Sequence, residues 1–505
     1  MVYARRVLLA GVLSVSHAPP AFADTLDQAL SAAYERNPSL QASRDLASAA
    51  DELVTQAKAA YGPTLNLSAS HDYTTARIRG TQRPTEDEGF ATSAELALSQ
   101  PLFTSGRLAA GLDSATAAQL AERERLRGAS QQLILDVVNA YVVLRRDIEL
   151  YGVASEIYQL LLQQRDVTAS RFRLRDSTLP DLDQTTNRLE LAAGRVISAR
   201  STVEISAARY RNLVGNYPVS LAPLPALPAP MTVETLYVQA ETNNPAIAAA
   251  KFNEAQSRAV VGAARANMRP QVGLFAVARR APTTPYQNTI RQEAVAAGVN
   301  FTMPLYSGGQ LSSQLREAIE RNQADQQYVE QARRDVRETL AANWSLLQAN
   351  VESLPRFDAA VTAAERAVKG VKEQETSGIR TLRDVLDVTN DLLSARTSAV
   401  QTRAQVYLRQ VALLRDAGLL SISMFTQTRP YDPDDRKAGH AALAGLPLRP
   451  ILQPIDRAVM ADGVPAAAIQ YELGQQFTWP SGTGVPAQSL PPPEVDPTVS
   501  DTPPL

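Results

Sequence analysis

Apolar residues recur along this chain in two rhythms. Within a tract from about Leu108 to Thr168, Leu133, Val137, Ala140, Leu144, Ile148 and Tyr151 are spaced by four, three, four, four and three positions. That spacing predicts a long helix with a coiled-coil-like seam, extending about 90 Å at the helical rise per residue. A return helix is expected from about Asp181 to Leu213. Ahead of the tract the rhythm is two. From Thr64 to Tyr73, Leu65, Leu67, Ala69 and Tyr73 fall on one face, and Thr64, Asn66, Ser68, Ser70 and Asp72 on the other. From Phe90 to Gln100, Phe90, Ala94, Leu96 and Leu98 oppose Ser93 and Glu95. Both stretches read as strands with one apolar face, joined by a charged loop over 74–89 and ended by Pro101 and Gly106.

The same order returns in the second half. Asn244-Pro245 answers Asn37-Pro38, each pair reading as a helix start with Asn as cap and Pro in the first turn. Met303-Pro-Leu-Tyr-Ser-Gly-Gly-Gln310 answers Gln100-Pro-Leu-Phe-Thr-Ser-Gly-Arg107. Two more strands are expected near 271–278 and 294–303 on either side of a polar loop, the last with Val295, Ala297, Val299, Phe301 and Met303 on its apolar face. Gly106 and Gly309, Gly152 and Pro355, and Asp181 and Asp384 are each 203 positions apart, so the chain is an internal duplication. Its repeats span 24–230 and 231–420, the first closing in a Pro-rich linker from Gly215 to Pro230. Gly152 and Pro355 weaken a helix interior and predict a kink or break in each long helix.

Each repeat has a turn between its long helices. In the second, about 375–384, Gly378 supplies the turn conformation, and Thr381 reads as an N-cap with Asp384 completing a capping box. Asp384 and Asp387 share a helix face. In the first, about 171–181, Thr178 and Asp181 repeat the Thr-x-x-Asp pattern, preceded by Arg171, Arg173 and Arg175. The acids read equally as helix caps and as functional groups, and the two roles are compatible. For Asp387 and for the arginines, a solvated face is the plain alternative.

Composition narrows the possibilities. The 505-residue chain carries a net charge of −2, which gives no reason to expect nucleic acid. It contains no cysteine and three histidines, two of them outside the expected core, which argues against thiol chemistry and a histidine-rich metal site. No Gly-x-Ser-x-Gly, zinc motif or usable triad points to an enzyme, and no cofactor is expected. Arg5 and Arg6, the short apolar run Val7–Val15 and Ala21-Phe-Ala23 read as a secretory signal over 1–23. No other run approaches the ~18 apolar residues of a spanning helix, so a membrane would have to be crossed with strands. Four strands cannot close a spanning barrel, whereas three copies would supply twelve. The alternative is a soluble four-stranded sheet covered by helices. Residues 421–505 hold 14 of the 32 prolines and are expected to be largely disordered.

On the paired Asn-Pro starts, Gln100-Pro101-Leu102-Phe103 with Gly106, Met303-Pro304-Leu305-Tyr306 with Gly308-Gly309, and Gly378-x-Arg380-Thr-x-x-Asp384-Val-Leu-Asp387, the chain resembles the TolC family of outer-membrane efflux and secretion channels. The resemblance covers about 24–420. Tyr431-Asp-Pro433 is similar to members serving type I secretion. The resemblance implies a mainly α fold with a β-barrel portion: a homotrimer with a twelve-stranded barrel in outer-membrane lipid of a Gram-negative bacterium. A long α-helical barrel would run through the periplasm, closed by the turns. It implies two partners, a periplasmic adaptor (membrane fusion) protein and an inner-membrane ABC or proton-driven pump. By the family's gate pattern, Asp384 and Asp387 would form two lumenal carboxylate rings, and Arg380 and Asp181 would pair across helices. Glu375 stands where a Tyr is common, and Arg175 where Gly is common. Leu174, Arg175, Leu179, Gly378, Ile379 and Leu382 would form the adaptor-contacting tips. The competing reading is a soluble periplasmic coiled-coil adaptor or structural protein. It fits the duplication and the two strand pairs less well.

Overall fold

The computed structural model describes residues 25–78, 85–218, 220–228, 231–436, 444 and 446–459. The expected signal over 1–23 and the end of the chain beyond 459 lie outside them. Helices α1 (Leu26–Arg36) and α2 (Pro38–Ala59) open the first repeat. Thr25 closes a capping box with Gln28. The Asn37 side chain accepts from the Ser39 and Leu40 amides, with Pro38 in the first turn. Strands β1 (Thr64–Ile78) and β2 (Thr85–Phe103) follow, then α3 (Arg107–Arg173) and α4 (Leu179–Val214). The second repeat runs α5 (Val233–Asn243), α6 (Pro245–Ala266), β3 (Gln271–Thr284), β4 (Gln287–Thr302), α7 (Gln310–Thr376) and α8 (Leu382–Asp416). Asn244 caps α6 just as Asn37 caps α2.

The long helices outrun their expected ends by a few residues, and they pass Gly152 and Pro355 without a break. Both positions are exposed, and each lies between stretches of its helix that are packed in the cores on either side, which outweighs a local cost. The strands are also longer than the alternation indicated. Thr74–Ile78 pairs with Thr85–Gly89, and β3 turns into β4 across two residues, leaving no long loop there. These extensions lose the apolar–polar alternation because they need no apolar face; the backbone ladder alone extends them. Pro101 does not end β2, which continues through a bulge to Phe103.

The four strands form one antiparallel sheet in the order β1-β2-β3-β4, so β2 and β3 join the repeats. The register sorts the side chains. Leu67, Leu96, Ala278 and Val295 lie in one row across the sheet, and Leu65, Leu98, Ala276 and Ala297 in the next. Ser68, Glu95 and Arg279 form a row on the opposite face. The apolar face is uncovered: Leu67 is 75% and Val295 84% exposed. A soluble sheet would bury such a face, so the reading of a helix-covered soluble sheet does not hold for this protomer.

Three apolar cores hold the helices. The largest gathers Leu30, Tyr34, Val137, Tyr141, Tyr210 and Val411 from α1, α3, α4 and α8. A second joins Leu236 of α5 to Leu340 and Leu347 of α7 and Leu413 of α8. The third lies near the helix turns. The Pro-rich linker is packed, its Ala222 carbonyl accepting from Tyr141 and Arg145. After α8, Gly418 has a φ of +74°, and a Cβ there would lie 2.2 Å from the Asn243 carbonyl oxygen, so only glycine lets the chain pass.

The expectation of a largely disordered tail does not hold for its first part. The described residues after α8 include short 3-10 turns, Ile422–Met424 and Pro433–Arg436, and a helix, α9 (Arg449–Ala458). Proline did not prevent this: Pro450 falls in the first turn of α9, where its missing N–H costs nothing, while Pro454 lies inside the helix, which forms in spite of it.

Candidate functional site

Both inter-helix turns are built alike. At the end of α3 the Asp176 amide donates to the Arg171 carbonyl and the Arg175 amide to Phe172. At the end of α7 the Ile379 amide donates to Gln374 and the Gly378 amide to Glu375. This is the Schellman arrangement, which needs a left-handed residue after the cap. Gly378 fills that position with a φ of +76° and Arg175 with +62°. The arginine therefore adopts the glycine geometry and bears its steric cost, about 1–2 kcal/mol for a residue with a Cβ.

The next helix then starts on a capping box. Asp181 Oδ2 accepts from the Thr178 amide at 3.1 Å and the Thr178 hydroxyl at 2.6 Å, with Ser177 Oγ at 3.4 Å. Asp384 Oδ2 accepts from the Thr381 amide at 3.0 Å and its hydroxyl at 2.9 Å. These bonds hold both carboxyls below the usual carboxylate range. For Asp181 the Thr178 hydroxyl contributes most. For Asp384 the Thr381 amide contributes most, with the Arg380 and Arg383 charges adding less. Within one protomer Asp181 makes no ion pair with Arg380 among the described residues; its Oδ2 is engaged in its own cap.

Other groups meet here that the linear sequence kept apart. Glu375 is only 7% exposed and pairs with Arg171 at 2.5 Å, tying the two turns together. At least one arginine of the cluster is therefore a structural partner and not a free docking group. Asp387 on α8 lies 3.5 Å from Arg188 of α4 and 3.8 Å from Arg383, and remains exposed. Arg188 gave no signal in the sequence, since only the packing of α4 beside α8 brings it there. Further along, Arg396 of α8 reaches Glu156 of α3 and Glu365 of α7, each at 2.6 Å.

Beneath the turns Ile157, Leu161, Leu189, Val368, Leu386 and Leu392 form the third core. Leu382 packs partly against it, whereas Leu174, Leu179 and Ile379 point outward at the very end of the hairpins. Arg175 and Gly378 are exposed with them. Among the described residues no group of three or more His, Asp or Glu is placed to hold a metal ion. The chemistry available is charge and apolar contact: carboxylates kept ionised near the end of a helical hairpin, beside an apolar tip.

The model of the family described as "Outer membrane efflux protein" matches residues 29–216 and 236–419, one segment for each repeat. Outer membrane efflux protein BepC of Brucella suis biovar 1 (strain 1330) is 27% identical over 434 residues, 86% of this chain and 93% of its own length. Outer membrane protein TolC of Escherichia coli (strain K12) is 25% identical over 438 residues, 82% of this chain and 85% of its own. Among solved structures, the outer membrane protein VceC of Vibrio cholerae superposes with a TM-score of 0.67 at 20% identity, covering 78% of this chain and 96% of its own. The chain thus belongs to the outer membrane efflux protein family, the TolC-like exit ducts of tripartite efflux and type I secretion systems, seated in the outer membrane with a long periplasmic helical portion.

Proposed function

We propose that three copies of this chain assemble into one duct, with twelve strands closing a barrel in outer-membrane lipid and the helical hairpins closing a tube in the periplasm. The observation that carries this reading is the sheet, in which the rows of Leu67 and Leu65 are apolar and uncovered, Ser68, Glu95 and Arg279 lie on the opposite face, and both edges are unpaired among the described residues. An open edge is not tolerated in hydrocarbon, and further strands from identical copies remove it. Lipid would cover the rows of Leu67 and Leu65, and the lumen would receive the row of Ser68 and Glu95.

At the other end Asp384 and Asp387 would form rings of carboxylates that favour cations. Asp181 and Arg380, which do not pair within a protomer, would meet between neighbours, and Glu375 would lock the two turns of each protomer together through Arg171. The apolar residues Leu174, Leu179 and Ile379, with Arg175, Gly378 and Leu382, would meet a periplasmic adaptor tied to an inner-membrane ABC or proton-driven pump. The pump supplies the energy, and no covalent step is assigned to the duct.

The test is purification followed by single-channel recording. The full-length chain should leave the membrane only with detergent and migrate as a trimer. In planar bilayers Asp384→Asn with Asp387→Asn should lower cation preference. A freely soluble monomer would overturn the assembly and restore the adaptor reading, and unchanged selectivity would remove the two acids from the pore.

A further inference from the structure

The two strand-to-helix junctions are copies in sequence but not in surroundings. Each long helix starts at a glycine that offers no side-chain cap, Gly106 for α3 and Gly309 for α7. A hydroxyl four residues back serves one amide in each, Thr104 for Leu108 and Ser307 for Leu311. The first junction is buried, while in the second Leu305, Tyr306, Gly308 and Gly309 are exposed.

What covers the first junction is α9. Asp456, 3% exposed, accepts through Oδ1 from the Gly106 amide at 2.8 Å, the Thr104 amide at 3.1 Å and the Thr104 hydroxyl at 2.9 Å. Its Oδ2 accepts from the Ala109 amide at 3.1 Å and again from the Thr104 hydroxyl at 3.0 Å. A carboxylate from some 350 residues away thus satisfies amides that a helix start leaves without intrahelical partners, at the end where the helix dipole favours negative charge. Leu452, one turn earlier, is buried on the same side of α9. Arg457 pairs with Asp113 of α3 at 2.6 Å, and Arg269, just before β3, donates to the Val459 carbonyl at 3.3 Å.

The approach to this site is also fastened. Gln131 of α3 donates to the Gly418 carbonyl at 3.1 Å. The Tyr431 amide donates to the Tyr34 hydroxyl at 3.0 Å, and the Arg44 guanidinium lies 4.8 Å from the centres of both the Tyr34 and the Tyr431 rings. Asp434 pairs with Arg123 of α3 at 2.9 Å. The contacts step back along α3 from Gln131 through Arg123 and Asp113 to Gly106, a run of about 40 Å at the helical rise per residue.

We propose that the described residues after α8 act as a strap, and that α9 is the missing cap of the first strand-to-helix junction, so that the seating of the barrel on the tube depends in this repeat on the Asp456 carboxylate. Among the described residues the second junction has no counterpart, so the two halves of the protomer differ where sheet passes into tube. This inference is independent of which adaptor, if any, meets the tips.

Hydrogen exchange on the detergent-purified full-length protein tests it, alongside limited trypsin digestion. Asp456→Ala should speed exchange of the Gly106 and Ala109 amides by on the order of five- to tenfold, as expected for loss of a cap. It should also speed cleavage at Arg457 and leave the Asp181 and Asp384 amides at the turns unchanged. Asp456→Asn, which keeps an acceptor oxygen, should fall between Ala and the native residue, and it supplies the reading if the alanine variant does not assemble. Native exchange at Gly106 and Ala109 in these variants, or an effect spread equally to the turns, would overturn the proposal.

Discussion

Arg175 is the residue at which the duplicated turns differ most in chemistry and least in shape. Its backbone is held left-handed by the same pair of hydrogen bonds that Gly378 makes. Arg175→Gly should therefore relieve strain and stabilise the protein by about 1 kcal/mol, read as a higher dissociation or unfolding temperature with unchanged secondary structure. A loss of stability would mean that the Arg175 side chain makes contacts in the assembly that outweigh the strain. The capping acids allow a second test. Their folded pKa lies below the ordinary carboxylate value, so the folded state binds fewer protons than the unfolded one. The stability they contribute is complete above the ordinary carboxylate range and is lost as pH falls through the lowered folded value. Acid unfolding of Asp181→Asn and Asp384→Asn variants should show a weaker acid dependence than the native chain, and an identical pH profile would deny the caps this role. Asp181 and Asp384 were legible as caps because a capping box closes over three residues. The Arg171–Glu375 pair, 204 positions apart, was not. The sequence marked Glu375 only as a departure and Arg171 only as one of a cluster.

At the scale of elements, the apolar seam of α3 is one side of a shared packing that fixes the long helices at three levels. Below the turns that packing is the third core, where Leu386 of α8 is buried with Ile157, Leu161 and Leu189 of the other hairpin. Leu386→Ala should cost about 2–5 kcal/mol, measured by denaturant or thermal unfolding, and hydrogen exchange should rise at both turns together. Exchange confined to α7 and α8 would show that the two hairpins are not packed as one unit. Element type was readable from period, and the capped starts at Asn37, Thr178, Asn244 and Thr381 were readable from local chemistry. The passage through Gly152 and Pro355 and the extra length of the strands were not, because neighbouring helices and the backbone ladder set them. Nor did composition reveal α9, since a high proline count says nothing about a docking site elsewhere that accepts one buried leucine and one aspartate.

On the scale of the whole molecule, the sheet and the helical hairpins answer to different solvents. The row containing Leu67 is uncovered apolar surface and the row containing Ser68 is polar, though the residues are adjacent in sequence. A charge on the lipid face of a barrel costs about 2–4 kcal/mol near the bilayer centre, whereas a lumenal one costs little. Leu67→Arg should therefore reduce the yield of folded, heat-modifiable assembly in the outer membrane, and Ser68→Arg should not. Equal yields would place the strand outside the hydrocarbon, or its faces the other way round.

The sequence by itself determined the duplication, the element types, the caps and the alternation that makes one sheet face apolar, because each depends on residues a few positions apart or on a constant 203-residue frame. Only the tertiary structure decided which charges meet and what the tail does. Arg171 with Glu375, Arg188 with Asp387 and Asp456 with the start of α3 each join residues about 200 or more positions apart. A carboxylate finds its partner through the path of the backbone, and no spacing along the chain records that path.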